Sequence, residues 1–372
     1  MSKKTIIYIA PAFPVGGAEK FLILLANTFT KDVRSQIVVS LSDDNKAQDE
    51  FNKVIRFLPL PRTGKFDFAP LRSLRRLIRT EKPDIIFCLN FFSFFLTKLI
   101  ISGLKQKPLV IVSYHSTIPR NKKENNLNKL YTTLLTKKDL IITVSENQAK
   151  YTALKYHIPA KLFKTIHNGI DINKWRLPDD HCDKTKLRNQ YGIPENASVI
   201  IMTAAFRPEK NHIGAIQSLQ VLHSAYNQKA YLLFVGGGTL LEQCRLFAEK
   251  MNMSEFIKFT GPQSDVRPFY WASNLFTLCS TSVETFSIAA LEAMACGLPV
   301  VLTNIGGASE MISEGLNGFL CEPDVADIAH KWSKALQFDF SAEKIHEYIS
   351  LNFSAEKMIG EYTKTLQLVE QE

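Results

Sequence analysis

Short β-branched runs alternate with amphipathic stretches along nearly the whole chain, and the alternation breaks once, near the middle. "TIIYIA" (5–10), "QIVVSL" (36–41), "VIRFL" (54–58), "DIIFCL" (84–89), "LVIVS" (109–113), "LIITVS" (140–145) and "KTIH" (164–167) read as strands, with helical candidates such as 18–30, 70–80 and 125–137 between them. Strand, helix, strand repeated in this way builds a parallel sheet with right-handed crossovers. The polar, turn-rich segment 168–197 then interrupts the series, and "SVIIMTA" (198–204), "AYLLFVG" (230–236), "FIKFTG" (256–261), "LFTLCS" (275–280) and "PVVLT" (299–303) resume it. The chain of 372 residues is long enough for two cores. The expected architecture is α/β: a Rossmann-like domain over 1–170, a linker over 171–195, a second Rossmann-like domain over 196–352, and a terminal helix over 353–372 able to pack back on the first domain. Doubly wound sheets bind ligands at the carboxyl ends of their strands, so two such edges facing each other would make the site an interdomain cleft.

Composition narrows the class. With 45% hydrophobic and 22% charged residues the chain is globular rather than disordered. Its six cysteines are scattered, with no C-x-x-C pair or metal-ligand spacing, and read as small core residues in a reducing compartment. The opening "MSKKTIIYIAPAFP" has too short an apolar run for a signal segment and reads as a first strand, so the expected location is cytoplasmic. "LNFFSFFLTKLIISGL" (89–104) is the most apolar window, but it is shorter than a bilayer span and carries Lys98, which favours a buried helix. Charge is uneven: residues 1–170 hold 28 Lys and Arg against 12 Asp and Glu, while the remainder is net negative.

Several loops follow strands and open helices. In "AFPVGGAEKFLILL", Gly16 and Gly17 permit close approach of backbone N–H groups, and the helix start adds partial positive charge suited to phosphate; the same residues also read as a plain glycine turn. No G-K-[ST] ends the loop, so it is not a P-loop. "FVGGGTLLEQC" also follows a strand and opens a helix, so Gly236 and Gly238 are candidate nucleotide-binding residues, but Leu241 breaks the G-x-G-x-x-G pattern, which argues against a nicotinamide dehydrogenase. In "AAFRPEKNH", Arg207 and Lys210 stand three apart at a strand-to-helix junction, where both can converge on one anion.

"ETFSIAALE" raises a sharper question. Glu292 is the sole charged side chain between Thr285 and Ser309, and a lone buried carboxylate costs several kcal/mol unless hydrogen-bonded. Glu284 lies ahead of the expected helix, where it can meet a neutral polyol. Glu292, about a turn and a half inside, can accept the paired hydroxyls of a vicinal diol. The N–H groups of roughly Ser287, Ile288 and Ala289 between them suit phosphate. Sugar, diphosphate and ribose along one helix describe a nucleotide sugar.

Here the chain resembles a known family. Glu284 and Glu292 form the E-x7-E signature of retaining GT-B glycosyltransferases, and "CSTSVETFSIAALEAMACGLPVVLTNIGGASEMI" resembles the group called family 4. "PVGGAEK", "VSYHST", "TVSENQAK", "IHNGIDINKW", "FRPEKN" and "FTGPQSDVRPFYWASNLF" match further family segments in order, so the resemblance spans nearly the whole chain. It implies a GT-B fold, with Glu284 on donor-sugar hydroxyls, Glu292 on the ribose diol, and Arg207 and Lys210 neutralising the diphosphate leaving group. The glycine loop and the N–H groups near Ile288 and Ala289 would assist, and His115 would bond a sugar hydroxyl. No cofactor or metal is implied, and no Asp-x-Asp motif is present. Many relatives read E-x-F-G where this chain has Ser287, whose hydroxyl can cap the helix or touch the phosphate.

The implied partners are a nucleotide-sugar donor, UDP- rather than GDP-linked, and a glycan or lipid-linked acceptor in bacterial surface polysaccharide assembly. The basic first half, with "LRSLRRLIRTEK" (71–82) and "RNKKENNLNKLYTTLLTKK" (120–138), suggests peripheral docking on an anionic leaflet at the inner face of the plasma membrane. No helix-turn-helix, RNP or zinc motif supports nucleic-acid binding. The alternatives are a non-catalytic GT-B scaffold, against which the intact Glu284, Glu292, Arg207 and Lys210 set argues, and a nucleotide-sugar epimerase, which needs no acceptor.

Overall fold

The first strand, β1 (Lys4–Ala10), is buried along almost all its length, which requires a cover on both faces. Its side chains divide by the period of two: Ile6, Tyr8 and Ala10 enter one hydrophobic core, Ile7 and Ile9 another. The computed structural model describes residues 4–14, 17–29, 33–62, 67–115, 119, 121–179 and 184–368. It continues with β2 (Val33–Ser40), β3 (Arg56–Pro59), β4 (Ile85–Cys88), β5 (Leu109–Tyr114), β6 (Leu140–Thr143) and β7 (Phe163–Thr165). These make one parallel sheet in the order β3-β2-β1-β4-β5-β6-β7. A second parallel sheet holds β8 (Ser198–Thr203), β9 (Ala230–Val235), β10 (Ile257–Phe259), β11 (Leu275–Leu278), β12 (Val300–Thr303) and β13 (Gly318–Cys321), in the order β10-β9-β8-β11-β12-β13. The last of these was missed from sequence. "GFLC" is short and opens with a glycine, and a Cβ at Gly318 would stand 2.0 Å from the Val300 carbonyl oxygen. The residue that weakens the strand signal is the one that lets the strands approach.

The chain forms two compact units, one of residues 1–168 with 358–372 and one of residues 169–357. Residues 171–195, expected to be a linker, are therefore part of the second unit. Arg188, on the helix Lys184–Gln190, is buried and donates to the carbonyls of Ala272, Glu195 and Ala197 and to the Asn274 side chain. Polar composition misleads here because the guanidinium fork is satisfied by backbone oxygens rather than by water. The final helix is Ala355–Leu368, and its Met358, Ile359, Tyr362 and Leu366 join the core of the first unit.

The apolar window 89–104 folds as the helix Phe91–Ile101, started by the Asn90 side chain accepting from Ser93 N–H at 2.9 Å. Lys98 is neutralised by buried Asp139 at 2.8 Å. Among the described residues no helix is long and apolar enough to cross a membrane. The basic segment 71–82 lies in the helix Ala69–Glu81, which buries Pro70, Leu74, Leu77 and Ile78 and exposes Arg72, Arg75, Arg76 and Arg79. The second basic segment forms the shorter helix Lys122–Thr132, with Lys122, Lys123, Lys129, Leu127 and Leu130 exposed.

Candidate functional site

In the second sheet β8 and β11 are neighbours, and strand order departs in opposite directions from that pair. Loops leave the carboxyl ends of both strands at this reversal, the usual ligand position in such sheets. The two loops that do so are "AAFRPEKN" and "STSVETFS".

After β8, Arg207 is extended (φ −124°, ψ 155°), Pro208–Lys210 makes a single 3₁₀ turn, and Asn211 takes the left-handed conformation (φ 56°). The Asn211 side chain accepts from Gly214 N–H at 3.1 Å and starts the helix His212–Ala225. Arg207 is exposed, and Lys210 half-buried. Beneath them His212 stacks flat on Phe206 with ring centroids 3.9 Å apart. Burial, with the Lys210 charge adding to it, pushes the His212 pKa down to about 4. A neutral ring at pH 7 thus supports the loop.

Gly236 and Gly238 lie against this loop. A Cβ at Gly236 would be 2.2 Å from the Ala204 carbonyl oxygen, and one at Gly238 would be 2.7 Å from the Phe206 nitrogen and oxygen. Phe206 N–H donates to the Gly237 carbonyl at 3.0 Å. These glycines, read from sequence as nucleotide-binding, have a demonstrable role in letting two backbones close together.

After β11, Glu284 reaches Lys210 across 74 positions of sequence, with Lys210 Nζ 2.5 Å from Glu284 Oε2. Ser280 Oγ donates to the same oxygen at 3.1 Å. Thr281 N–H donates to the Glu209 carbonyl at 3.0 Å, joining the loops through backbone as well. Side-chain exposures of 23% for Lys210 and 14% for Glu284 keep the ion pair reachable from solvent. Arg207 has no side-chain partner among the described residues.

The helix Ile288–Ala295 follows. Ser287 caps it, its Oγ accepting from Ala290 N–H at 3.2 Å, and Gly297 (φ 81°) ends it. No acceptor among the described residues takes the N–H of Ile288 or Ala289, the first two helical positions. Glu292 is 4% exposed, and Tyr270 O–H donates to its Oε2 at 3.3 Å. Burial, and then the Glu292 charge, drive the Tyr270 pKa well above its ordinary value, so it is a donor at all working pH. The loop and helix therefore place two carboxylates in different surroundings, Glu284 ion-paired ahead of the helix and Glu292 buried against a phenol.

Sequence reading missed three contributors: Tyr270, Ser280 and Gly306. Gly306 is left-handed (φ 62°), and a Cβ there would fall 1.4 Å from the Glu284 carbonyl oxygen. Gly307 N–H donates to the Thr285 carbonyl at 3.0 Å. The signal was present, since paired glycines just after a strand (β12) repeat the pattern noticed at Gly16 and Gly17.

In the first unit, Gly17 opens the exposed start of the helix Gly17–Thr28, while Gly16 lies outside the described residues. His115 follows β5 directly, with its Nε2 2.9 Å from Ser113 Oγ. Its ring packs on Phe21 of the glycine-led helix at 4.5 Å, so the two first-unit motifs meet. Burial pushes the His115 pKa down to about 4, leaving it neutral at pH 7.

Comparison with known proteins adds family and fold. The family described as Glycosyltransferase Family 4 matches residues 15–174, and that described as Glycosyl transferases group 1 matches residues 183–350. The N-acetyl-alpha-D-glucosaminyl L-malate synthase of Bacillus anthracis is 29% identical over 242 residues, which are 64% of this chain and 61% of that protein. The chain thus spans less than two thirds of that relative's length. The UDP-Gal:alpha-D-GlcNAc-diphosphoundecaprenol alpha-1,3-galactosyltransferase of Escherichia coli is 26% identical over 264 residues, 69% of this chain and 67% of that one. Among solved structures, Anabaena Alr3699/HepE in complex with UDP superposes with a TM-score of 0.80 at 19% identity, covering 98% of this chain and 99% of that one. At that identity the likeness concerns the fold.

Proposed function

The chain belongs to the group 1, family 4 glycosyltransferases of GT-B fold, and from that membership we propose that it moves a hexose-type sugar, with retention, from a nucleotide diphosphate sugar to a glycan or lipid-linked acceptor in bacterial surface polysaccharide assembly. The observation that carries the reading is the meeting of Lys210 with Glu284 at the carboxyl edge of the second sheet, beside exposed Arg207 and the N–H groups of Ile288 and Ala289, which have no acceptor among the described residues. Cations and helix N–H groups gathered at one edge stabilise charge developing on a departing diphosphate. Glu284 would accept donor-sugar hydroxyls, Glu292 the ribose diol, and His115, as a neutral imidazole, would bond a sugar hydroxyl. In the step itself the acceptor oxygen bonds the anomeric carbon from the face the phosphate leaves, the bond from that carbon to the phosphate oxygen breaks, and the acceptor proton passes to the phosphate. UDP is the favoured donor nucleotide, supported by the donor named in the E. coli relative and by the UDP bound to HepE.

Donor binding should stabilise the second unit, since a ligand held at 100 times its Kd adds about 2.7 kcal/mol. A thermal-shift screen of UDP-, GDP- and ADP-sugars is expected to raise the melting temperature with a UDP-sugar, followed by slow hydrolysis of that donor. A panel with neither shift nor hydrolysis would favour a non-catalytic scaffold, and sugar isomerisation without acceptor would favour an epimerase.

The exposed Arg72, Arg75, Arg76 and Arg79, with Lys122, Lys123 and Lys129, support docking of the first unit on an anionic leaflet. Basic residues at such a surface contribute about 1 kcal/mol each. Flotation with anionic vesicles at low salt should carry the protein, and flotation with neutral vesicles should not; equal behaviour with both rejects the docking.

A further inference from the structure

The turn that carries Arg207 and Lys210 ends on a buried histidine whose polar atoms have nothing to bond. His212, first residue of the helix His212–Ala225, is 2% exposed, and neither Nδ1 nor Nε2 has a hydrogen-bond partner among the described residues. Its ring lies flat on Phe206, with planes 19° apart, and tilts against Phe234 at 5.1 Å. A phenylalanine would fill this aromatic stack without leaving two buried polar atoms unpaired, each of which costs free energy. The stack also closes the turn at both ends. Phe206 is fixed by its N–H on the Gly237 carbonyl, and between Phe206 and His212 the backbone bonds to itself. Lys210 N–H donates to the Arg207 carbonyl at 3.1 Å and Asn211 N–H to the Pro208 carbonyl at 3.2 Å. A ring enclosed in this way leaves the stack only when the turn opens.

We propose that His212 is a positioning residue for the Arg207–Lys210 turn that acts only while its ring is uncharged, so that opening of the turn is coupled to uptake of one proton. Its bearing on function rests on the assignment of Arg207 and Lys210 to the donor's diphosphate. An imidazolium carries two N–H donors, and in this enclosure neither finds an acceptor. Stacking on Phe206 attracts a cation, but that gain is smaller than the hydration a fully buried charge gives up. The ring's own loop carries Arg207, Glu209 and Lys210, and the loop after β11 brings Glu284 onto Lys210. β9 meets the ring with Phe234. The helix Val325–Gln337, packed on the same helix through Ser218, carries Asp327, His330, Lys331 and Lys334. Of these groups it is Lys210 that bears on the ring, and its charge opposes a second one. Held here the ring titrates at about 4 instead of 6.5, and in the open turn it regains its ordinary value. The closed turn therefore has its full stability above pH 6.5 and loses it as pH falls, the open form gaining about tenfold per unit between the two values.

The test is hydrogen exchange of the Lys210, Asn211 and Ala215 amides in the full chain from pH 7.5 to 5.0, corrected for the intrinsic rate, in the wild type and His212→Phe. Wild-type protection is expected to fall about 30-fold over that range, and protection in His212→Phe to stay flat. A flat wild type, the same slope in His212→Phe, or an equal slope at the β8 amides overturns the proposal. Should His212→Phe fail to fold, the wild-type ring followed by NMR decides. It is expected to stay neutral down to pH 5.0 wherever the turn remains protected, and titration at its ordinary value with protection intact overturns the coupling. Saturating UDP at pH 7.5 should raise protection of the same three amides. If UDP binds and leaves them unchanged, or does not bind, the diphosphate assignment falls and the positioning role with it, whatever the pH slope.

Discussion

Replacing Lys210 with alanine is expected to slow donor turnover about 10²- to 10³-fold, the usual loss when one electrostatic stabiliser of developing charge is removed. The rate should fall far more than stability. Lys210 and Glu284 are partly buried but keep 23% and 14% of their side chains exposed, and an ion pair that water can reach contributes only about 1 kcal/mol. Glu284 also keeps its hydrogen bond from Ser280 at 3.1 Å. A variant that loses turnover and melts within a few degrees of the wild type would match this account. One that melts much earlier would make the pair a structural brace. Glu284→Gln adds a second constraint. Because Lys210 Nζ lies 2.5 Å from Glu284, the two substitutions act on one contact, and the double variant should lose less than the product of the single losses. Independent, multiplying losses would mean that the pair separates before chemistry and that each partner then serves alone.

Gly306→Ala should be nearly as damaging, although the residue carries no functional group. The added methyl would overlap the Glu284 carbonyl oxygen at 1.4 Å, and the left-handed backbone at φ 62° is itself unfavourable for alanine. The conformational part costs about 1–2 kcal/mol. The overlap cannot be relieved by a side-chain rotation, because the Cβ position is fixed by the backbone and the oxygen it meets is itself backbone, so the loop bearing Glu284 must shift. Misplacing a positioning group by about 1 Å costs on the order of 10²-fold in rate. Turnover should therefore fall by that order, with a measurable drop in melting temperature. Full activity in Gly306→Ala would show that the Glu284 loop moves freely and that its observed position is not required.

Several residues of the second unit's candidate site were legible in the sequence. Glu292 stood out because a single charge in an apolar run needs a partner, and Arg207 and Lys210 because they follow a strand. These inferences use only local order along the chain, which strand and helix periodicity encode directly. The supporting residues were harder to see. Tyr270 looks like an ordinary core aromatic, and its importance comes from its 3.3 Å contact with a residue 22 positions away. Gly236 and Gly238 looked like ligand contacts, and what sequence did not show is that they also let their backbone close against Ala204 and Phe206. Segment 171–195 looked like a linker from its polar composition, yet Arg188 within it is buried and donates to the carbonyls of Ala272 and Ala197, partners that sequence does not reveal.

The order of β-branched runs and amphipathic stretches was sufficient on its own to determine two parallel α/β sheets, since each run declares its own periodicity and short connections leave few topologies. The pairing of Lys210 with Glu284, and of Tyr270 with Glu292, was decided only by tertiary structure. Those contacts depend on which strands become neighbours at the reversal between β8 and β11. Adjacency of that kind arises from packing the whole sheet and is written in no single stretch of residues.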